Sequence, residues 1–272
     1  MKFLDHMTLG QYIPVDSLVH RLDPRCKILG TVALMGALFV GDGAGAMGAW
    51  GGLFFLLASA SKIPVSMALR GVRPVVILIA FTAVINLFFS SGEPLWSWGI
   101  LRVSREGMVA AFTMSFRLFF LVLFAGFLTL TTSPMELADG LERLLSILKP
   151  IGFPAHEMAM MMTIALRFIP TLLDETDRIL KAQLARGADL DRGGIGRRIK
   201  AFVPVLVPLF ILVFQRAEDL ATAMEARCYR GGDGRTRMHP LRWTLRDSGA
   251  LVGLCLVTVF VCVLDARWPL LR

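Results

Sequence analysis

Two arginines 41 positions apart carry the clearest chemical signal in this sequence: Arg186 in "KAQLARGADL" (181–190) and Arg227 in "ATAMEARCYR" (221–230). Each follows an alanine and precedes a small residue, giving Ala185-Arg186-Gly187 and Ala226-Arg227-Cys228. A guanidinium is a rigid fork of donors that can hold a carboxylate through two parallel hydrogen bonds, which the point charge of lysine cannot match. The chemistry this points to is recognition of an acidic surface rather than bond-making. A helix dipole favours Lys or Arg in any last turn and accounts for one such arginine. Two of them at matched registers suggest a duplicated receptor, such as two similar subunits that each offer an acidic groove.

Other reactive groups are scattered. His6, His20, His156 and His239 form no ligand spacing, and "HEMAM" at 156–160 lacks the second histidine of a zinc-protease helix, so no metal site is expected. Cys26, Cys228, Cys255 and Cys262 contain no CxxC pair and imply no disulfide framework. "RGGIGRR" at 192–198 lacks the Lys-Ser/Thr ending that holds phosphate and magnesium, so the chain should not hydrolyse ATP alone. Gly43-x-Gly45-x-x-Gly48 matches a dinucleotide fingerprint in form only, since apolar helices flank it and no strand precedes it; Gly48 and Gly52 could instead let helices pack closely. No nucleophile stands beside a base at hydrogen-bonding spacing.

Two polar residues inside apolar stretches ask for an explanation. Arg117, in "TMSFRLFFLVLF", sits about ten residues into its stretch, where a charge costs roughly 2.5–3.5 kcal/mol on insertion scales. It either meets a partner or substrate path, or pairs with helix-end carbonyls and holds the bundle. Asn86, in "AVINLFF", reads as glue between helices. The run Met158, Met160, Met161 and Met162 suits a surface that repacks against changing partners, and a core helix explains it about as well.

The elements that must position these residues are helices in a membrane. The chain is 55% hydrophobic and 18% charged, against roughly 45–50% and about 25% for soluble domains. The first 27 residues are polar and broken by Pro14 and Pro24, so a signal peptide is not expected. Residues 28–60 hold one charge, Asp42, and would span about 50 Å as a single helix, so the glycine cluster at 41–48 is the natural turn between two short spans. Further spans are expected at 72–91, 107–132 and 248–264. Segments 155–173 and 201–215 are apolar at first and then merge into charged helices.

Aligning Arg186 with Arg227 extends the match back some twenty residues: Leu166 meets Val207, Phe168 meets Leu209, Leu172 meets Val213, Asp177 meets Glu218 and Ala182 meets Ala223. Both segments read as long amphipathic helices that finish at an arginine, with Gly187 as the stop of the first.

The net charge of +8 raises nucleic-acid binding only weakly, because basic residues in membrane proteins set orientation; no nucleic-acid partner is expected. With the N-terminus in the cytoplasm and five spans crossing, 24 Lys/Arg fall inside and four outside, with Arg117 in the membrane. Segments 155–173 and 201–215 then read as surface or partly inserted helices on the cytoplasmic side. The expected architecture is an all-α integral membrane protein of about five spans plus long cytoplasmic helices. Its regions are 1–133 (N-terminal segment and four spans), 134–247 (cytoplasmic helices) and 248–272 (last span and C-terminus).

Three stretches together resemble the transmembrane (T) component of energy-coupling factor transporters, which are ABC-type importers. They are "TLGQYIPVDSLVHRLDPRCKIL" at 8–29, "INLFF" at 85–89, and the paired Ala-Arg-small motifs. Cys228 is a departure, since glycine is commoner there. The resemblance implies a non-catalytic scaffold in a bacterial or archaeal cytoplasmic membrane, joining two cytoplasmic ATPases to a substrate-binding S component that takes up a vitamin or other micronutrient. It implies that Arg186 and Arg227 each dock one ATPase, that the methionine run is a candidate S-component contact, and that ATP and Mg belong to the ATPases, with no cofactor in this chain. On the residues alone, an intramembrane enzyme or an ATPase-independent secondary transporter using Arg117 and Asn86 stays open.

Overall fold

A computed structural model of the chain describes residues 12–39, 43–89, 94–98, 101–188, 194–231 and 241–267. Residues 8–11 of the N-terminal stretch, residues 41–42 of the glycine turn and 192–193 of "RGGIGRR" lie outside them. The regular secondary structure of the described residues is helical except for one small hairpin, and it forms two compact units.

The first unit contains α1 (Pro24–Ala37), α2 (Ala44–Ser61), α3 (Val65–Val72), α4 (Val76–Phe89), the hairpin β1 (Pro94–Trp98) and β2 (Leu101–Ser104), α5 (Arg105–Thr131), α6 (Pro134–Leu145) and α9 (Leu245–Arg267). Local chemistry sets the helix starts. The Asp23 carboxylate accepts from the Arg25 N–H while Pro24 fills the first turn, where its missing donor costs nothing. Ser133 and Glu136 cap α6 reciprocally, Ser133 N–H donating to the Glu136 carboxylate and Glu136 N–H to Ser133 Oγ. The core is aromatic. Phe54 of α2 meets Phe120, Phe124 and Phe127 of α5 edge-on at 6.0–6.3 Å, and Trp50, Leu38 and Leu123 complete the buried cluster.

Among the described residues, three helical stretches are long and apolar enough to cross a bilayer: Val65–Phe89, Arg105–Thr131 and Lys200–Ala226, with Gly45–Ser61 shorter. Two of them cover the expected spans 72–91 and 107–132, whereas residues 28–60 form two shorter helices and α9, over the expected span 248–264, is not among the three. Span 72–91 begins earlier, because a 3-10 turn at Arg73–Val75 joins α3 to α4 as one rod. The segment at 201–215, expected on the surface, belongs to a helix that qualifies as a span by length and composition. The loop expected at 92–106 also contains structure. Trp96 pairs with Val103, Ser97 with Arg102 and Trp98 with Leu101, with an irregularity between Pro94 and Trp96. The alternation in "PLWSW" and "LRVS" is the signal that marks such a hairpin.

The second unit is α7 (Ala155–Ala185) and α8 (Ile195–Ala226), preceded by a 3-10 turn at Ser146–Ile151.

Candidate functional site: the α7–α8 hairpin

Contacts along α7 and α8 pair the start of one helix with the end of the other. Near the connecting loop, Gln183 Nε2 donates to the Pro204 carbonyl at 3.3 Å. That carbonyl would ordinarily accept from the N–H of residue 208, which is a proline and has none, so Gln183 supplies the missing donor. In the middle, Arg216 donates to Glu175 at 3.2 Å. At the far end, Tyr229 Oη lies 3.3 Å from His156 Nε2. The two helices therefore run antiparallel over their whole length, roughly 45 Å at 1.5 Å per residue over 31 residues.

The 41-residue offset is also the geometric relation between them. Glu175 and Arg216 occupy equivalent positions of the repeat, as do Leu172 and Val213, which both line the groove between the helices. Equivalent residues meet at the middle and the ends diverge, as a pseudo-two-fold axis between the helices requires.

Both helices end with the same backbone bonds. Arg186 N–H donates to Ala182 O, Gly187 N–H to Leu184 O and Ala188 N–H to Gln183 O. Adding 41 gives the second set: Arg227 to Ala223, Cys228 to Glu225 and Tyr229 to Met224. The Ala188 and Tyr229 bonds are the six-to-one closure of a Schellman cap, which needs a left-handed residue just past the helix. Gly187 takes that place at φ 87° and Cys228 at φ 55°. Cys228 thus keeps the turn that glycine makes freely, at the strain of a Cβ in the left-handed region. Ala185 and Ala226 close the two helices.

The antiparallel arrangement places Arg186 and Arg227 at opposite ends of the hairpin. Both are exposed, and neither guanidinium has a hydrogen bond or ion pair among the described residues. Their basic neighbours differ: Arg178 and Lys181 pair with Glu175 and Asp177 on their own helix. The methionine run opens α7, at the Arg227 end. Met158, Met161 and Met162 are exposed and Met160 is half-buried, so the run is no core stripe of this unit.

Arg117 and Asn86 belong to the other unit. Arg117 Nε donates to the Leu38 carbonyl at 3.1 Å, its guanidinium reaches Phe39 O at 3.5 Å, and it stacks over the Phe39 ring. Leu38 caps α1, so the arginine satisfies helix-end carbonyls. Asn86 Nδ2 donates to Thr82 O one turn back in α4, a bond within its helix where glue between helices was expected. What ties "INLFF" to α5 is close backbone approach. A Cβ on Gly107 would stand 3.0 Å from Leu87 O and 3.1 Å from Asn86 O.

Two contacts escaped the sequence reading. Glu175–Arg216 was legible in principle, as opposite charges at matched repeat positions. Tyr229–His156 had no sequence signal.

These features define a class first, a multi-pass helical membrane protein with a helical hairpin whose tip arginines have no hydrogen bond or ion pair among the described residues. Comparison with known proteins narrows it. Residues 16–240 match the family described as CbiQ, cobalt transport protein. The chain is 60% identical over 260 residues to the energy-coupling factor transporter transmembrane protein EcfT of Thermanaerovibrio acidaminovorans, covering 95% of this chain and 96% of that protein. It is 51% identical to the EcfT of Acidaminococcus fermentans over 97% of this chain and 98% of that protein, and 41% identical to that of Bacillus subtilis over 97% and 100%. The chain belongs to the EcfT/CbiQ family of transmembrane T components of energy-coupling factor transporters, and it is a non-catalytic transporter subunit.

Proposed function

We propose that the hairpin is the mechanical link between membrane and motor, with Arg186 docking one cytoplasmic ABC-type ATPase and Arg227 a second. One observation carries the reading: at both ends of a pseudo-two-fold hairpin the same cap presents an arginine with no partner among the described residues. Two equivalent tips fit two equivalent or homologous ATPases. ATP and Mg then act on those partners, and the chain supplies position and force. The exposed methionines at the Arg227 end are the proposed contact for the substrate-binding S component, which would select a vitamin or other micronutrient. Arg117 is occupied by helix-end carbonyls, which removes support from a polar substrate path there.

Photoreactive side chains at Ala185 and Ala226 test the docking in the assembled transporter. Each should capture an ATPase subunit; capture of no ATPase at both positions overturns the reading.

The orientation we infer puts the N-terminus and the hairpin tips in the cytoplasm of a bacterial or archaeal cell, on the 24-to-four basic asymmetry of the five-span sequence reading. On the cytoplasmic side, Ser66 is exposed and suits a labelling probe, whereas Ser61 is buried with its hydroxyl donating to Ala58 O. In a cysteine-free background, an impermeant thiol reagent added to intact cells should label Ser97→Cys and spare Ser66→Cys. The reverse pattern inverts the orientation.

A further inference from the structure

A cavity of about 610 Å³ opens among α1, α2, α5 and α9. That volume falls within the roughly 300–1,000 Å³ typical of small-molecule sites. Its lining is graded along the helices. Lys27, Thr131 and Arg246 lie at one end, where α1 and α9 begin and α5 finishes. Leu34, Phe124, Leu254 and Val257 lie two to three turns further in. From Arg246 to Val257 is about 16 Å of helix, close to one leaflet of a bilayer core of about 30 Å.

Lys27 is the unusual group. It is only 7% exposed, and its ammonium donates to two carbonyls, His20 O at 3.0 Å and Thr131 O at 3.1 Å. Neither is a counter-ion, and a buried charge without one is costly. The neighbouring carboxylates are engaged elsewhere. Asp23 holds Arg25, Asp247 accepts from Asp23 N–H and from Thr244, and Glu136 caps α6. Arg21, also at the mouth, is held by Asp16. Arg246 is exposed and makes no hydrogen bond or ion pair among the described residues.

We propose that this cavity holds an anionic phospholipid, its acyl chain against the apolar helix faces and its phosphate between Lys27 and Arg246. The phosphate supplies the counter-ion that Lys27 lacks, and basic pockets between membrane helices suit such headgroups. On the orientation given above, the lipid belongs to the cytoplasmic leaflet, although the site itself does not depend on that orientation.

The test is native mass spectrometry of the whole transporter from micelles containing equal phosphatidylglycerol and phosphatidylcholine. The parent should retain phosphatidylglycerol in preference to phosphatidylcholine. Arg246→Gln should cut that preference about fivefold, the effect of one basic residue at an anionic lipid surface. Gly253→Phe should empty the site of both lipids, because Gly253 lines the cavity and a Cβ there meets nothing within 4 Å. A photoreactive residue at the cavity-lining Leu56 should label lipid. Equal retention of the two lipids, retention unchanged in both variants, or labelling of a protein subunit at Leu56 would each overturn the proposal.

Discussion

Arginine is used in opposite ways in the two units. In the α1–α6/α9 unit, Arg117 lies across the C-terminal carbonyls of α1 and over Phe39, so its donors serve the fold. In the α7–α8 hairpin, Arg186 and Arg227 extend past capped helix ends whose carbonyls already have backbone partners. The rest of each unit follows the same division. The first buries an aromatic cluster around Phe54 and Phe124, whereas α7 buries only Ala155 and Ala159 among its described side chains. An arginine that completes a helix end belongs to stability. One left over after the helix end is complete is available to a partner.

The largest expected effect on stability lies in the aromatic core. Phe54→Ala should lower the unfolding free energy by about 2–3 kcal/mol, below the roughly 3–5 of a soluble core because lipid is as apolar as the lost contacts. Thermal unfolding in detergent measures it, and an effect no larger than that of a surface substitution would remove the contrast between units. Next comes Arg117→Ala, which strips the Leu38 and Phe39 carbonyls of a charged donor and should cost about 1–3 kcal/mol. Its assembled fraction should keep its ATPases, whereas a tip substitution should leave the melting temperature alone. If Arg117→Ala released the ATPases from folded protein, the division between the two kinds of arginine would fail.

Smaller effects sharpen the comparison between the tips. Gly187→Ala forces a Cβ into the left-handed region and should cost about 1 kcal/mol, while Cys228→Gly relieves the same strain and should gain up to about 1 kcal/mol. Gains of the same sign in both would show that the two caps are not equivalent. Arg178→Ala should change stability and uptake least, within about 0.5 kcal/mol, because its pair with Glu175 is an exposed contact on one helix.

Much of the hairpin was legible in the sequence because a repeat preserves register. The 41-residue offset located both helices, both arginines and the Gly187 stop, whereas Cys228, a departure from glycine in the sequence, was shown to close the second cap only by its left-handed backbone. What the offset could not carry was direction in space. Parallel and antiparallel packing give the same linear pattern, so the placement of the tips at opposite ends came from Gln183–Pro204 and Tyr229–His156, contacts between residues far apart in the chain. Arg117 was visible as an anomaly and its two uses were both foreseeable, but the choice between them rested on where α1 ends in three dimensions. Asn86 turned out to bond within its own helix, an option open to any amide in a helix and invisible to hydropathy. The β1–β2 hairpin was overlooked because two short alternating runs look like an ordinary loop between apolar helices.

The central claim is that the two tip arginines hold the ATPases. The direct measurement is co-purification of the ATPase subunits, with substrate uptake, for Arg186→Ala, Arg227→Ala and the double variant. At a desolvated interface, losing one partner of a bidentate charge pair costs about 3–5 kcal/mol, and two linked contacts reinforce each other. Each single variant should therefore insert normally yet lose most uptake and part of its ATPase. The double variant should release the ATPases or leave them hydrolysing ATP without transport. A double variant that keeps both ATPases and transports like the parent would contradict the account.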